Sequence, residues 1–166
     1  MLTIRLAKID DLSPIVEIYN QAIPSQSSTG DTVQFKPKER IDWFNNHTSG
    51  KYPIFVVEIA GLIVGWISIS PYRDGRGAFN HTAEVSYYID HKHHRKGIAS
   101  KLLKHAITDC SRLGINTLVA YIMEHNRASI KLMEKFSFKK WALLPNIAIF
   151  DGKEFNHTIY GKRISS

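Results

Sequence analysis

Apolar positions along the chain change their spacing several times, and each change marks an element. Residues 3–8 read as a short strand. Leu12, Ile15, Tyr19, Ala22 and Ile23 then fall on one face at helical spacing, which predicts a helix capped by Asp10 or Asp11, with Pro14 tolerated in its first turn. The polar run 24–31 predicts a loop, and Pro37 opens a second short helix carrying Ile41, Trp43 and Phe44. Residues 53–59 and 62–70 predict strands joined in a hairpin at Ala60-Gly61. A loop containing Gly and Arg, 71–80, leads to a further strand at 81–89.

The longest periodic stretch comes next. Ala99, Leu102, Leu103, Ala106, Ile107, Cys110 and Leu113 recur at three- and four-residue steps, the apolar stripe of an amphipathic helix with Gly114 as its C-cap. Residues 117–122 predict a short apolar strand. After a loop to Asn126, a helix is expected over 127–136. Two last strands, 139–149 and 155–164, pair around an Asp151-Gly152 turn. The order is strand, two helices, three strands, helix, strand, helix, two strands, an α/β arrangement without repeats or linkers.

Composition narrows the class. A chain of 166 residues with 43% hydrophobic residues suits one domain, 1–166, with a core of its own. The N-terminus has no apolar signal segment and no run is long enough to span a bilayer, so a cytoplasmic protein without a membrane partner is expected. The single cysteine, Cys110, excludes an internal disulfide and lies on the apolar side of its helix, as packing rather than as a nucleophile. Asn-His-Thr triplets at Asn46, Asn80 and Asn156 would accept glycans only on a secretory route, for which nothing argues. The formal charge of +7 invites a nucleic-acid reading. However, the cations are spread along the chain and no RNA-recognition, zinc-finger or helix-turn-helix signature accompanies them, so no nucleic-acid partner is expected. A basic balance also suits a small ligand with several negative charges.

The densest cationic run sits where that ligand would be held. His94-Arg95-Lys96-Gly97-Ile98-Ala99-Ser100 joins the strand at 81–89 to the long helix, and between Asp90 and Asp109 there are Lys and Arg residues but no acid. The first turn of such a helix presents unpaired N–H groups and the positive end of its dipole. Gly97 and the small Ala99 let phosphate oxygens reach the main chain. Other phosphate motifs fit less well. A P-loop needs its Lys after the second glycine, whereas Lys96 precedes the only one, and a dinucleotide fingerprint needs glycines where Lys92 and His94 stand.

This segment resembles the acetyl-coenzyme A loop of the GNAT N-acetyltransferases, Gln/Arg-x-x-Gly-x-Gly/Ala, with His94 in the first place. The resemblance covers nearly the whole chain and is strongest to the phosphinothricin acetyltransferase-like branch. Ile4-Arg5-Leu6-Ala7, Ile18-Tyr19-Asn20, His81-Thr82-Ala83-Glu84-Val85-Ser86, Asn126-Arg127-Ala128-Ser129-Ile130-Lys131-Leu132 and Glu134-Lys135 carry it. It implies an α/β fold with a mixed sheet flanked by helices, in which the carrier lies between two splayed parallel strands. It implies transfer of an acetyl group from acetyl-CoA to the primary amine of a small molecule, an amino acid or an analogue such as phosphinothricin or methionine sulfoximine. Family members are often dimers, which leaves a homodimer open.

The resemblance also assigns residues. Arg95, Lys96, Gly97, Ile98, Ala99 and Ser100 would hold the diphosphate, and the main chain of Tyr87, Tyr88 and Ile89 would face the acyl arm. Glu84, on the strand face shared with Ser86 and Tyr88, would take the proton from the amine. A salt-bridged structural role is its alternative. Asn126 matches a residue that bonds the pantetheine arm, and it is equally well placed as a helix N-cap. Thr29, in Ser27-Ser28-Thr29, and Phe79, Asn80 and His81 match the acceptor side. There Asn80 replaces an arginine that commonly pairs with a substrate carboxylate, while Arg73 and Arg76 lie in the loop just before. Met133 occupies the place of the usual Tyr or His acid, and a thioether donates no proton. Either the thiolate leaves unprotonated, or Tyr88 or Tyr121 serves, or activity is reduced. Ser137 stands where a Gly is usual. His91, His93 and His94 lack a neighbouring carboxylate or cysteine that would complete a metal site, so no metal is expected. Acetylation of a polyamine, an aminoglycoside or a peptide N-terminus remains an alternative, as does a CoA-binding module of low activity.

Overall fold

The computed structural model describes residues 1–164. Its strands are β1 (Leu2–Leu6), β2 (Ile54–Ile59), β3 (Leu62–Pro71), β4 (Thr82–Ile89), β5 (Thr117–Met123), β6 (Lys139–Phe150) and β7 (Lys153–Arg163). They form one sheet in the order β1-β2-β3-β4-β5-β7-β6. All neighbours are antiparallel except β4 and β5, the expected central parallel pair. Helices α1 (Leu12–Ala22) and α2 (Ile41–Asn45) cover one face; α3 (Ile98–Leu113) and α4 (Arg127–Lys135) cover the other. Among the described residues no helix is long and apolar enough to cross a membrane.

Burial on both faces explains the continuous apolar runs of the central strands. Val56 and Trp66 pack with Ile15 and Ile18 of α1, while Phe55, Val57, Ile67 and Ile69 face Leu102, Leu103 and Ala106 of α3. Cys110 belongs to this second layer, and burial pushes its thiol up to about 12. The turns follow their chemistry. Ala60 and Gly61, and again Asp151 and Gly152, are paired left-handed residues, as a two-residue hairpin requires. Gly114 ends α3 in a left-handed conformation and donates its N–H to Cys110 and Ser111.

Two local expectations change. Asp11 stands at the N-cap of α1 without capping it. Its carboxylate accepts from the Lys8 N–H at 2.8 Å and from the Arg5 guanidinium at 2.7 Å, which ends β1 at Leu6. The β6–β7 ladder is also not continuous. It shifts register between Lys140 and Ala142 and between Leu144 and Ala148, where Pro145 has no N–H to give and Asn146 is left-handed.

Candidate active site

The parallel pair β4–β5 is short. Only Thr82, Ala83 and Glu84 pair with Thr117, Leu118 and Val119; beyond them β4 follows β3 and β5 follows β7. A gap therefore opens in the sheet just past Glu84. The Asp90 N–H bonds to Val64 at 2.9 Å and the Thr82 carbonyl accepts from Tyr72, so even-numbered main-chain groups of β4 face β3. By alternation the amides of Tyr87 and Ile89 face the gap, while Tyr88 turns its amide to β3.

Side chains alternate the other way. Tyr87 and Ile89 pack against the α3 layer, and the Tyr87 hydroxyl donates to Ser129 Oγ of α4 at 2.9 Å. Glu84, Ser86 and Tyr88 point to the α1 side, into a cavity of about 470 Å³. Ser68 and Ser70 of β3 line it beside them, and Tyr121, Met123 and His157 close its far side. The loop Ser27–Gly30, with Tyr19, Arg40 and Trp43, forms the roof. A smaller cavity of about 310 Å³, between Pro24 and Phe150, contains none of the expected site residues.

Glu84 is half-buried, with no ion-pair partner among the described residues. Burial raises its pKa above the usual carboxylate range; a hydrogen bond from Ser86 Oγ at 3.3 Å opposes this only partly. Tyr88 is wedged between Trp66 and Tyr19, with ring centroids 4.9 and 4.8 Å away, and donates to the Ser28 carbonyl. Burial places its hydroxyl well above the ordinary phenol range. Tyr121 is raised to about 12, by burial first and then by the neighbouring Tyr72. Its ring stacks on His157 at 5.8 Å, whose pKa burial pushes down. Thr29 reaches the cavity and meets the Tyr19 hydroxyl at 2.6 Å; Tyr19 also bonds Asp31.

The cationic turn follows β4. His94 Nε2 lies 2.9 Å from the Ile89 carbonyl, at the lip of the gap. Arg95 and Gly97 are both left-handed, and the first helical bond of α3 runs from Lys101 N–H to Gly97. The N–H groups of Ile98, Ala99 and Ser100 thus have no partner within the helix. Arg95, Lys96 and Gly97 are exposed around them. A Cβ on Gly97 would meet no protein atom within 4 Å, so the space above this turn is open. Left-handed backbone, free amides and clustered cations fit a diphosphate.

Asn126 caps α4, its side-chain oxygen accepting from the Ser129 N–H at 3.2 Å, while Nδ2 donates to the Ser27 carbonyl at 3.1 Å. Phe79, Asn80 and His81 do not line the cavity. Phe79 packs on Tyr72, Asn80 is exposed, and His81 Nδ1 lies 2.7 Å from the Gly114 carbonyl. Arg73 and Arg76 are exposed. Met133 is fully buried in the α3 layer. Ser137 adopts φ 65°, a left-handed conformation that glycine takes more readily. The three loop histidines have separate partners: Gln21 for His91, Asp90 for His93 and Ile89 for His94.

Sequence reasoning did not single out Arg40, Trp43, Ser68, Ser70 or His157 as site residues. A signal existed for the two serines, which alternate with Ile67 and Ile69 on β3 and mark a polar face on a buried strand. Arg40 and His157 come from distant segments and offered none.

A mixed sheet splayed after a half-buried carboxylate, beside a cationic helix start, defines a class, and the sequence comparison agrees. Residues 14–138 match the model of the Acetyltransferase (GNAT) family. The chain belongs to that family. It is 43% identical to YwnH of Bacillus subtilis over 165 residues, which cover 99% of this chain and 100% of the relative. It is 32% identical over 152 residues to the L-methionine sulfoximine/L-methionine sulfone acetyltransferase of Salmonella typhimurium, covering 92% of this chain and 88% of that one. Among solved structures it resembles a phosphinothricin acetyltransferase from Sinorhizobium meliloti in complex with acetyl-CoA. The TM-score there is 0.92, with 25% identity, covering 99% of this chain and 89% of that one.

Proposed function

We propose that this protein acetylates the α-amine of an amino acid or a close analogue, of the phosphinothricin or methionine sulfoximine type, with acetyl-CoA as donor. The observation that carries the reading is Glu84, a carboxylate without an ion pair at the point where β4 and β5 part. Acetyl-CoA supplies an activated acetyl thioester. The turn Arg95–Ser100 would hold its diphosphate through main-chain N–H groups and cationic side chains. The gap-facing amides of Tyr87 and Ile89 would orient the pantetheine arm and polarise the acyl carbonyl; such preorganised donors contribute about 3 kcal/mol. Asn126 would serve that arm by holding α4 and the Ser27 loop together.

Glu84 accepts a proton from the incoming ammonium, directly or through one water held by Ser86 and Ser70. Its raised pKa makes it a better base than an exposed carboxylate. With Met133 sealed in the core and the Tyr88 hydroxyl donating to the Ser28 carbonyl, Tyr121 is the cavity phenol assigned here to the departing thiolate. The cytoplasm, where the donor is made, is the location this reading implies.

Thiol release at saturating acetyl-CoA tests it. Turnover is expected with L-methionine sulfone, methionine sulfoximine or phosphinothricin. Turnover confined to polyamines or aminoglycosides would refute the acceptor class, and binding without release would refute catalysis.

A further inference from the structure

The cavity contains one permanent cation, and no sequence motif assigns it. Arg40 closes the 3-10 turn Pro37–Arg40 that leads into α2. Its Cζ lies 4.5 Å from the Trp43 ring centroid, 5.0 Å from Phe35 and 5.8 Å from Tyr19. Such a cage restrains the guanidinium through its face and leaves the in-plane N–H donors for a ligand. The cage itself is anchored. Asn20 of α1 exchanges two hydrogen bonds with the Phe35 main chain, at 2.8 and 3.0 Å. Glu39 Oε2 accepts from the Lys36 N–H at the start of the turn.

No carboxylate pairs with Arg40 among the described residues. The nearby Asp31 engages the Tyr19 hydroxyl instead. Arg40 thus lines the same cavity as Glu84 with its charge unanswered. The two are linked around the wall: Ser70 pairs with Glu84 in the sheet, Ser70 Oγ meets His47 Nε2 at 3.0 Å, and His47 packs on Trp43. One cavity therefore presents a proton acceptor and a preorganised fork for an anion. Asn80, Arg73 and Arg76 do not line that cavity.

We infer that Arg40 binds the α-carboxylate of the acceptor and selects amino acids over the corresponding neutral amides. This rests on the amino-acid reading above. Arg40 fixes the acid so that its ammonium lies toward Glu84; Trp43 and Phe35 hold the guanidinium in place and thin the water around it, which strengthens the pair.

The test compares an amino acid accepted by the wild-type enzyme with its α-carboxamide, in wild type, Arg40→Met and Arg40→Lys. Met keeps the apolar stem in the cage; Lys keeps a point charge without the planar fork. The wild type is expected to prefer the acid. In Arg40→Met, kcat/KM for the acid should fall about 10- to 100-fold, mainly through KM, and the preference should approach one. Arg40→Lys should recover part of it. Equal losses for acid and amide in both variants would overturn this inference alone, since they would mark a packing role. Failure of the wild type to acetylate any α-amino acid would overturn the acceptor reading and this inference with it.

Discussion

Replacing Glu84 by Gln removes charge and basicity while keeping shape. The amide oxygen of Gln can still accept from Ser86 Oγ, and the β4 pairings to Ser70 and Val119 involve only the main chain. The loss should therefore be chemical. A positioned general base contributes about 10²- to 10⁴-fold. Glu84 is half-buried and would reach the amine directly or through one water, which puts the expectation at the lower end. A loss of about 100-fold in kcat corresponds to about 2.7 kcal/mol at 1.36 kcal/mol per decade. Affinity for acetyl-CoA, measured by calorimetry, should hardly change, because the turn at Arg95–Ser100 and the gap-facing amides are untouched. Since burial raises the pKa of Glu84, kcat/KM of the wild type should climb as pH rises through a value above the ordinary carboxylate range. That limb should vanish in the variant. A variant within about threefold of wild type, or one that retains the limb, would remove Glu84 as the base.

The same substitution has a stability signature. The folded state holds the Glu84 proton to higher pH than the unfolded chain, so its contribution is complete below the ordinary carboxylate range and is lost as pH rises through the raised pKa. Glu84→Gln should accordingly melt higher than wild type at pH above the raised pKa, with the difference closing below the ordinary carboxylate range; a difference independent of pH would argue against burial as the cause. Gly97→Val places a β-branched residue in a left-handed turn, a strain of about 1–2 kcal/mol, and covers the open space above it. Titration should show acetyl-CoA affinity down about tenfold, and unaltered affinity would remove this turn as the diphosphate seat. Gly65→Ala would bring a Cβ to 2.6 Å from Ile89 Cδ1 and 3.1 Å from the Tyr88 carbonyl, crowding the strand that faces the gap. Its denaturation midpoint should drop by the equivalent of about 1–3 kcal/mol, and an unchanged midpoint would show that β3 and β4 can part freely there.

Which parts of this molecule could be read in advance follows from how local each determinant is. Ala60-Gly61, Asp151-Gly152 and Gly114 announce turns because left-handed backbone has a local residue signature, and all three form where expected. The stripe from Ala99 to Leu113 fixed α3 for the same reason. Strand period also put Glu84, Ser86 and Tyr88 on one face. It could not reveal that Tyr88 turns its amide to β3, because that depends on register with a partner strand. Asp11 looked like a cap, but Arg5 and the Lys8 N–H compete for its carboxylate. The resemblance assigns residues 79–81 to the acceptor side, yet they lie outside the cavity, where Arg40 is brought by contacts between α1 and a segment fifteen or more residues later.

Every step proposed for this protein requires that the start of α3 and the gap beside β4 grip the acyl carrier. Calorimetric titration of acetyl-CoA into the folded protein asks this without assuming an acceptor. A saturable heat with one carrier per chain, weakened by Gly97→Val and untouched by Glu84→Gln, is the predicted result. No heat at millimolar carrier would contradict it.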